Sequence, residues 1–297
     1  MTANIKIAVC QMRVSERKSL NLKHAGEMIR KASLQGAQMV ILPEFFNSPY
    51  NTRIMAENAE CFPGETTAFL SEQARSNAIL LVGGSIPEVD ADGKLYNTSY
   101  VFDEQGLLIG KHRKMHLFDI DIPGQITFKE SEILTAGDGL QIIRHNGLSW
   151  AVIICYDIRF PELTRMAALQ GAQILIVPAA FNGTTGPAHW ELLMRTRAVD
   201  NQLFVAAASP APNPDANYQP WGHSLVVDPW GTVISAAGND EEILVCNINL
   251  SILDRVRREL PLLKHRRTDL YELNYKQWTS PAECTHDWQG TKTNELG

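Results

Sequence analysis

The stretch Gly171-Ala172-Gln173-Ile174-Leu175-Ile176-Val177-Pro178 holds a complete turn from a helix into a buried strand. A glycine where a helix closes, an unbroken aliphatic run and a terminating proline read as C-cap, strand and stop. Gly36-Ala37-Gln38, followed by Met39 to Pro43, repeats that rhythm. Strands that are apolar at every position, rather than at alternate ones, are buried on both faces. Ile5 to Val9, Ile79 to Val82, Ala151 to Ile154 and Leu203 to Ala207 read the same way. Helices are predicted over Leu20 to Leu34, Thr66 to Ser76, Glu162 to Leu169 and His189 to Asn201, the third opened by Pro161. Hairpins are predicted for Tyr96 to Phe102 with Leu107 to Lys111, and for Ser224 to Val227 with Val233 to Ala236. Buried strands alternating with covering helices give an α/β fold in one layered domain. That domain is expected to span 1–275, with a polar tail over 276–297 that lacks strand and helix signals.

Of the 297 residues, 44% are hydrophobic and 20% charged, as in an ordinary globular chain. With 27 Lys plus Arg against 33 Asp plus Glu, the net charge of −6 provides no general field for nucleic acid or anionic lipid. An anionic ligand must therefore meet a local cation. Apolar stretches such as Ile174 to Phe181 fall well short of the roughly 20 residues of a membrane-spanning helix, so no membrane partner is expected. Met1 to Gln11 lacks a basic segment followed by an apolar core, and a cytoplasmic location is the expectation. The five cysteines form neither CxxC pairs nor Cys/His clusters, which argues against a zinc site or a disulfide framework.

Charge and nucleophile appear where the buried runs end. Met39 to Pro43 lead directly into Glu44, beside Phe45 and Phe46; aromatic neighbours that exclude water would raise its pKa. A surface glutamate at a strand end is the plainer alternative. Ala151 to Ile154 lead into Cys155 ahead of a helix start, where a thiol can face a cleft; an inert core cysteine is the alternative. No GxSxG elbow or cysteine counterpart occurs there. Lys111-His112-Arg113-Lys114-Met115-His116 reads either as a solvated basic turn or as the wall of an anion pocket. Glu130, between Lys129 and Glu132, is a further acidic candidate on a stretch that equally suits an exposed face. Arg255 to Arg258 and Lys264 to Arg267 read as a solvated helix face or a subunit contact, and His223 as a structural histidine.

Leu42-Pro43-Glu44, His112-Arg113-Lys114 and Cys155-Tyr156-Asp157-Ile158-Arg159-Phe160-Pro161-Glu162, in this order, resemble the three motif blocks of the nitrilase superfamily of carbon–nitrogen hydrolases. The resemblance implies a four-layer αββα sandwich and a Glu44–Lys114–Cys155 triad with Glu130 as second glutamate. It also implies no metal or organic cofactor, and a homodimer or larger homo-oligomer. Lys114 to Pro123 and Phe181 to Trp190 are similar to the omega-amidase branch, whose substrates are short dicarboxylic monoamides such as 2-oxoglutaramate and 2-oxosuccinamate. An N-carbamoyl hydrolase or nitrilase with the same triad, and a silent ligand-binding protein, are the alternatives.

Amide hydrolysis needs a nucleophile, a proton for the departing ammonia and donors for the tetrahedral oxyanion. On this reading Glu44 is the base, Cys155 the nucleophile, and Lys114 with the Tyr156 N–H the oxyanion donors. Glu130 holds Lys114 and the substrate or water. Arg159 is the candidate cation for the substrate carboxylate, against the alternative of an ion pair with Asp157 or Glu162. Tyr50, His116, Thr184, Thr185 and Arg195 are further pocket candidates, and Phe118, Phe181 and Trp190 candidate walls.

Overall fold

In the computed structural model, residues 4–124, 126–216 and 218–274 are described. The expected tail, 276–297, lies outside the described residues. The chain opens with β1 (Asn4–Gln11), α1 (Lys18–Leu34), β2 (Met39–Ile41), α2 (Thr52–Asn58), α3 (Glu65–Asn77), β3 (Leu80–Val82), β4 (Ile86–Val89), β5 (Leu95–Phe102) and β6 (Leu108–Arg113). A small hairpin, β7 (Asp119–Ile122) and β8 (Ile126–Lys129), precedes the second half. That half comprises β9 (Ile142–His145), β10 (Leu148–Val152), α4 (Pro161–Leu169), β11 (Ile174–Pro178), α5 (Gly186–Asn201), β12 (Phe204–Ala208), β13 (Leu225–Val227) and β14 (Val233–Ala236). Finally, β15 (Glu242–Asn249) and α6 (Ser251–Glu259) return to the first half.

Two large sheets result. In one, β1 lies between antiparallel β15 and parallel β2, and β2 continues to β3 and then β5. Thr98 of β5 pairs with Ile86 of β4 and with Arg113 of β6, so β4 and β6 flank β5 on opposite sides. In the other, the order is β14-β13-β12-β11-β10-β9, with β10, β11 and β12 parallel.

Alternation along the strands sorts the residues into layers, because successive side chains point to opposite faces. Ile5, Ile7, Val9, Met39, Ile41 and Val82 of the first sheet meet Trp150, Val152, Ile174, Ile176, Phe204 and Ala206 of the second in one buried cluster. The intervening residues face outward. Ala8, Cys10, Val40 and Leu81 pack under Ala25, Ile29 and Leu70 of α1 and α3. Ala151, Leu175, Val177 and Val205 pack under Leu163, Ala167, Met194 and Ala198 of α4 and α5. The fold is therefore a four-layer αββα sandwich, and its doubly buried strands explain the continuous apolar runs.

Both glycine turns form as their sequences indicate. Gly36 (φ +83) and Gly171 (φ +95) are left-handed. The following N–H groups close the helix ends, Ala37 on Ala32 and Ala172 on Ala167. The elements that the runs did not announce are α2, β4, β7, β8, β9 and β15. Asp119–Ile122 alternates acid and isoleucine on an outlying hairpin, and α2 is only seven residues long, held by Asn51 accepting from the Arg53 and Ile54 N–H groups. The basic stretch in α6 is partly internal: Arg257 is half-buried and donates to the carbonyls of Gln202 and Ala172.

Candidate active site

Glu44 and Cys155 occupy equivalent places in the two halves, each just past a strand at the mouth of the sandwich. After β2 the chain bends through Phe45, whose φ is +49, and its N–H donates to Ser85 Oγ at 3.1 Å. Gly84 (φ +56) lets the chain pass close behind: a Cβ there would sit 2.1 Å from the Pro43 carbonyl oxygen. After β10 the chain bends at Cys155 itself, with φ +47, into a 3-10 turn over Cys155–Arg159. A left-handed non-glycine residue stores backbone strain that the surroundings must hold in place.

Asp157 provides that hold. Its Oδ2 accepts from the Ile154 N–H (3.0 Å) and stands 3.1 Å from His112 Nε2, while Oδ1 accepts from the His116 N–H (2.9 Å) and stands 2.7 Å from His116 Nδ1. The carboxylate is fully buried, and although burial alone would raise its pKa, the two histidines and the Ile154 N–H hold it well below the aspartate range. One anion thus ties the nucleophile turn to the end of β6, where Lys114 begins.

The Lys114 ammonium is wholly buried, 3.1 Å from Glu44 Oε1 and 2.8 Å from Glu130 Oε1. Burial would lower its pKa, but Glu130 and Glu44 outweigh that and raise it, so the group stays charged. Glu130 Oε1 also accepts from the Tyr50 hydroxyl, and its Oε2 accepts from the Phe118 N–H at 2.7 Å. Glu44 Oε1 accepts from Asn97 Nδ2 at 2.8 Å, whereas the buried Oε2 has no hydrogen-bond partner among the described residues. Burial raises the Glu44 pKa above the usual carboxylate range, opposed by Lys114 and by the adjacent Cys155 thiol. Burial and then Glu44 push the Cys155 thiol well up, with Lys114 and a backbone hydrogen bond from Ala180 acting against them. The resting sulfur is therefore a thiol facing a carboxylate of enhanced basicity.

A pocket lined by Phe118, Cys155, Tyr156, Arg159, Phe181, Asn182, Thr185 and Tyr218 opens on the sulfur. Its volume is only about 10 Å³, and it shares Ala180 and Tyr218 with a neighbouring cavity of about 330 Å³ that reaches Glu44 and Tyr50. Tyr218 stacks on Tyr50 with centroids 4.5 Å apart and donates from its hydroxyl to the Ala180 carbonyl. The Arg159 guanidinium lies 4.8 Å over the Phe181 ring, with Nη1 3.1 Å from His189 Nδ1. Burial lowers its pKa, and the groups that raise it again are Cys155 and Tyr156, with no ion pair to Asp157 or Glu162 among the described residues.

The structure thus brings Glu44, Lys114, Glu130 and Cys155 together and places Phe118, Tyr156, Arg159, Phe181 and Thr185 around the sulfur; Tyr50 stands behind Glu130. Four expectations need correction. The His116 ring stacks on Phe160 at 3.7 Å and serves Asp157 instead of lining the pocket. Thr184 is exposed and its N–H caps onto Asn182 Oδ1. Trp190 packs behind Phe181, its indole donating to the His223 carbonyl at 2.6 Å. Arg195 lies on the outer face of α5, bound to the Gly231 carbonyl and Glu191, because the inner face carries Trp190, Met194, Arg197 and Ala198. The basic run lines no separate pocket for an anion: Lys111 and Arg113 pair with Glu88 and His112 with Asp157, while Lys114 gives two of its three N–H donors to Glu44 and Glu130. His223 is structural, stacked on Trp221 with Nδ1 2.7 Å from the Trp221 carbonyl. Asn97, Asn182 and Tyr218 also belong to the site, although single asparagines and a loop tyrosine carry no periodicity or spacing signal.

A buried thiol, a basic carboxylate and an ammonium at the mouth of an αββα sandwich define a cysteine hydrolase of carbon–nitrogen bonds. The chain belongs to the carbon-nitrogen hydrolase family, whose model matches residues 6–258. It is 52% identical over 275 residues to the omega-amidase NIT2 of Bos taurus, covering 93% of this chain and 99% of that protein. Against the omega-amidase NIT2 of Homo sapiens the identity is 50% over 274 residues, with 92% and 99% covered. Among solved structures, Saccharomyces cerevisiae Nit3, a member of branch 10 of the nitrilase superfamily, superposes with a TM-score of 0.83 at 42% identity, covering 90% of this chain and 98% of that one.

Proposed function

We propose that this chain is an omega-amidase, releasing ammonia from the terminal amide of short dicarboxylic acid monoamides such as 2-oxoglutaramate and 2-oxosuccinamate through a thioester on Cys155. The observation that carries the reading is the pairing of a Glu44 carboxylate with a thiol in a pocket where, among the described residues, Glu44 Oε2 has no hydrogen-bond partner and the arginine no carboxylate partner. The 50–52% identity to omega-amidases over nearly the whole chain supports the substrate class.

Glu44 Oε2 takes the thiol proton as the sulfur attacks the amide carbon. The thiol is not pre-ionised, so proton transfer to the Glu44 carboxylate and attack by sulfur are coupled. The carbonyl oxygen takes up the negative charge and is held by Lys114 Nζ and the Tyr156 N–H. Nζ has three donors, of which two serve the glutamates, leaving one for the substrate. Glu44 returns its proton to the nitrogen, the C–N bond breaks, and ammonia leaves behind a thioester. Water, deprotonated by Glu44, attacks the thioester carbon; the C–S bond breaks, the sulfur recovers the proton and the acid is released. Glu130 positions Lys114, and Arg159 receives the substrate carboxylate. Phe118, Phe181 and Thr185 limit the substrate's length.

The domain over 1–275 carries this chemistry. Exposed Leu192 and Val199 on α5, with Trp230 beside them, support a homo-oligomeric assembly through this face. Unbridged Cys10, Cys61, Cys155 and Cys246 support the reducing cytoplasm, and among the described residues no helix is long and apolar enough to cross a membrane. Purified protein incubated with 2-oxoglutaramate is expected to release ammonia, and Cys155→Ala to release none. Equal rates for the two proteins would remove the assignment.

A further inference from the structure

Asn182 stands between the end of β11 and the start of α5, next to Phe181, over which the Arg159 guanidinium lies. Its Oδ1 is fully used, accepting from the Thr184 N–H (3.0 Å), the Thr185 N–H (2.9 Å) and the Thr185 hydroxyl (3.2 Å). These donors fix the orientation of the amide, since a flip would set its NH2 against two N–H groups. Nδ2 is consequently a defined donor. It is buried, on a residue only 7% exposed, and has no partner among the described residues. Asn182 also lines the pocket that opens on Cys155 and Arg159. A buried donor without an acceptor is costly, and a fixed one in a ligand pocket is matched to an acceptor that the ligand brings.

We infer that Asn182 is a substrate-binding residue whose Nδ2 donates to an oxygen of the substrate's carboxylate end, completing with Arg159 a two-donor clamp for the anion. This rests on the omega-amidase reading and adds its means of discrimination. Arg159 supplies the charge, while Asn182 supplies a directed hydrogen bond that an uncharged alkyl terminus cannot satisfy. The amide end meanwhile lies toward Cys155, so the clamp sets the distance between carboxylate and scissile bond.

The test compares succinamate with butanamide, amides of equal carbon number that differ in the terminal carboxylate. Asn182→Asp keeps an acceptor for the Thr184 and Thr185 N–H groups but presents an anion to the substrate. Asn182→Ser keeps a capping oxygen and removes the Nδ2 donor, which provides a second route should the first variant fold poorly. The ratio of kcat/KM for succinamate to that for butanamide is expected to fall about 10- to 100-fold in either variant, chiefly through KM for succinamate. A ratio within about twofold of the wild-type value would overturn the inference, because a purely structural role lowers both substrates alike. If the wild-type enzyme itself showed no preference for succinamate, the omega-amidase reading would fail first, and the two failures are thereby told apart.

Discussion

Asn97 Nδ2 donates to Glu44 Oε1 at 2.8 Å, the same oxygen that Lys114 approaches at 3.1 Å. Both donors converge on one oxygen, and Oε2 has no hydrogen-bond partner among the described residues. Asn97 is thus a positioning residue, and its own carbonyl backbone holds the Lys114 N–H at 2.8 Å. Asn97→Leu is expected to lower kcat by about 10- to 100-fold with a smaller effect on KM, as loss of a directed hydrogen bond to a charged group. Steady-state kinetics would sink the idea if KM alone changed.

The raised pKa of Glu44 has opposite consequences for activity and for stability. As a base it must be ionised, so the acid limb of kcat/KM is expected with its midpoint above 4.5, the ordinary glutamate value. In stability the sign reverses: with the folded pKa above the unfolded one, its contribution is complete below 4.5 and is lost as pH rises through the folded value. Glu44→Gln, which mimics the protonated acid, should lose about 10²- to 10⁴-fold in kcat yet melt no lower than wild type at pH 7. A variant melting clearly lower at pH 7 would contradict this.

Glu130 should behave differently, because it is the shorter partner of a fully buried ammonium. Removing one partner of a buried ion pair leaves the other uncompensated and costs about 3–5 kcal/mol. Glu130→Gln can still accept through one oxygen but loses the charge, and a stability decrease toward that figure is expected, accompanied by a fall in kcat. Urea unfolding at pH 7 measures it; an unchanged midpoint and slope would show that Lys114 does not depend on this carboxylate.

How far the sequence revealed this arrangement follows from which forces write themselves into local pattern. Strands buried on both faces, such as Ile174–Pro178, must be apolar throughout, and the glycine turns before them require a left-handed residue, so the layers were legible. Glu44, Lys114 and Cys155 stand out in the sequence only as candidates, each with a plainer alternative, and it is the resemblance of three motif blocks in order that singles them out together. The pocket wall was not legible. Arg195 and Thr185 are equally polar, and only the rotation of α5 turns Arg195 outward, while the loop just before that helix places Thr185 in the pocket. Asp157 reads locally as no more than a possible ion-pair partner of Arg159, because its real partners, His112 and His116, lie 45 and 41 residues away. Long-range pairing of single polar residues leaves no periodic trace.

Asp157 also supplies an acid-stability test. Its folded pKa lies below the ordinary value of 3.8, so its contribution is present above 3.8 and lost as pH falls toward the folded value. In Asp157→Asn that titration is absent. An amide in place of Oδ2 also sets NH2 against the Ile154 N–H, leaving buried donors unmatched at about 1–3 kcal/mol each. The variant should therefore be less stable than wild type at pH 7, and the gap should narrow as pH falls from about 5 toward 3, because only the wild type has this stabilisation to lose. Urea midpoints across that range provide the measurement. Parallel curves for the two proteins would mean that the Asp157 carboxylate does not keep its partners in the folded state.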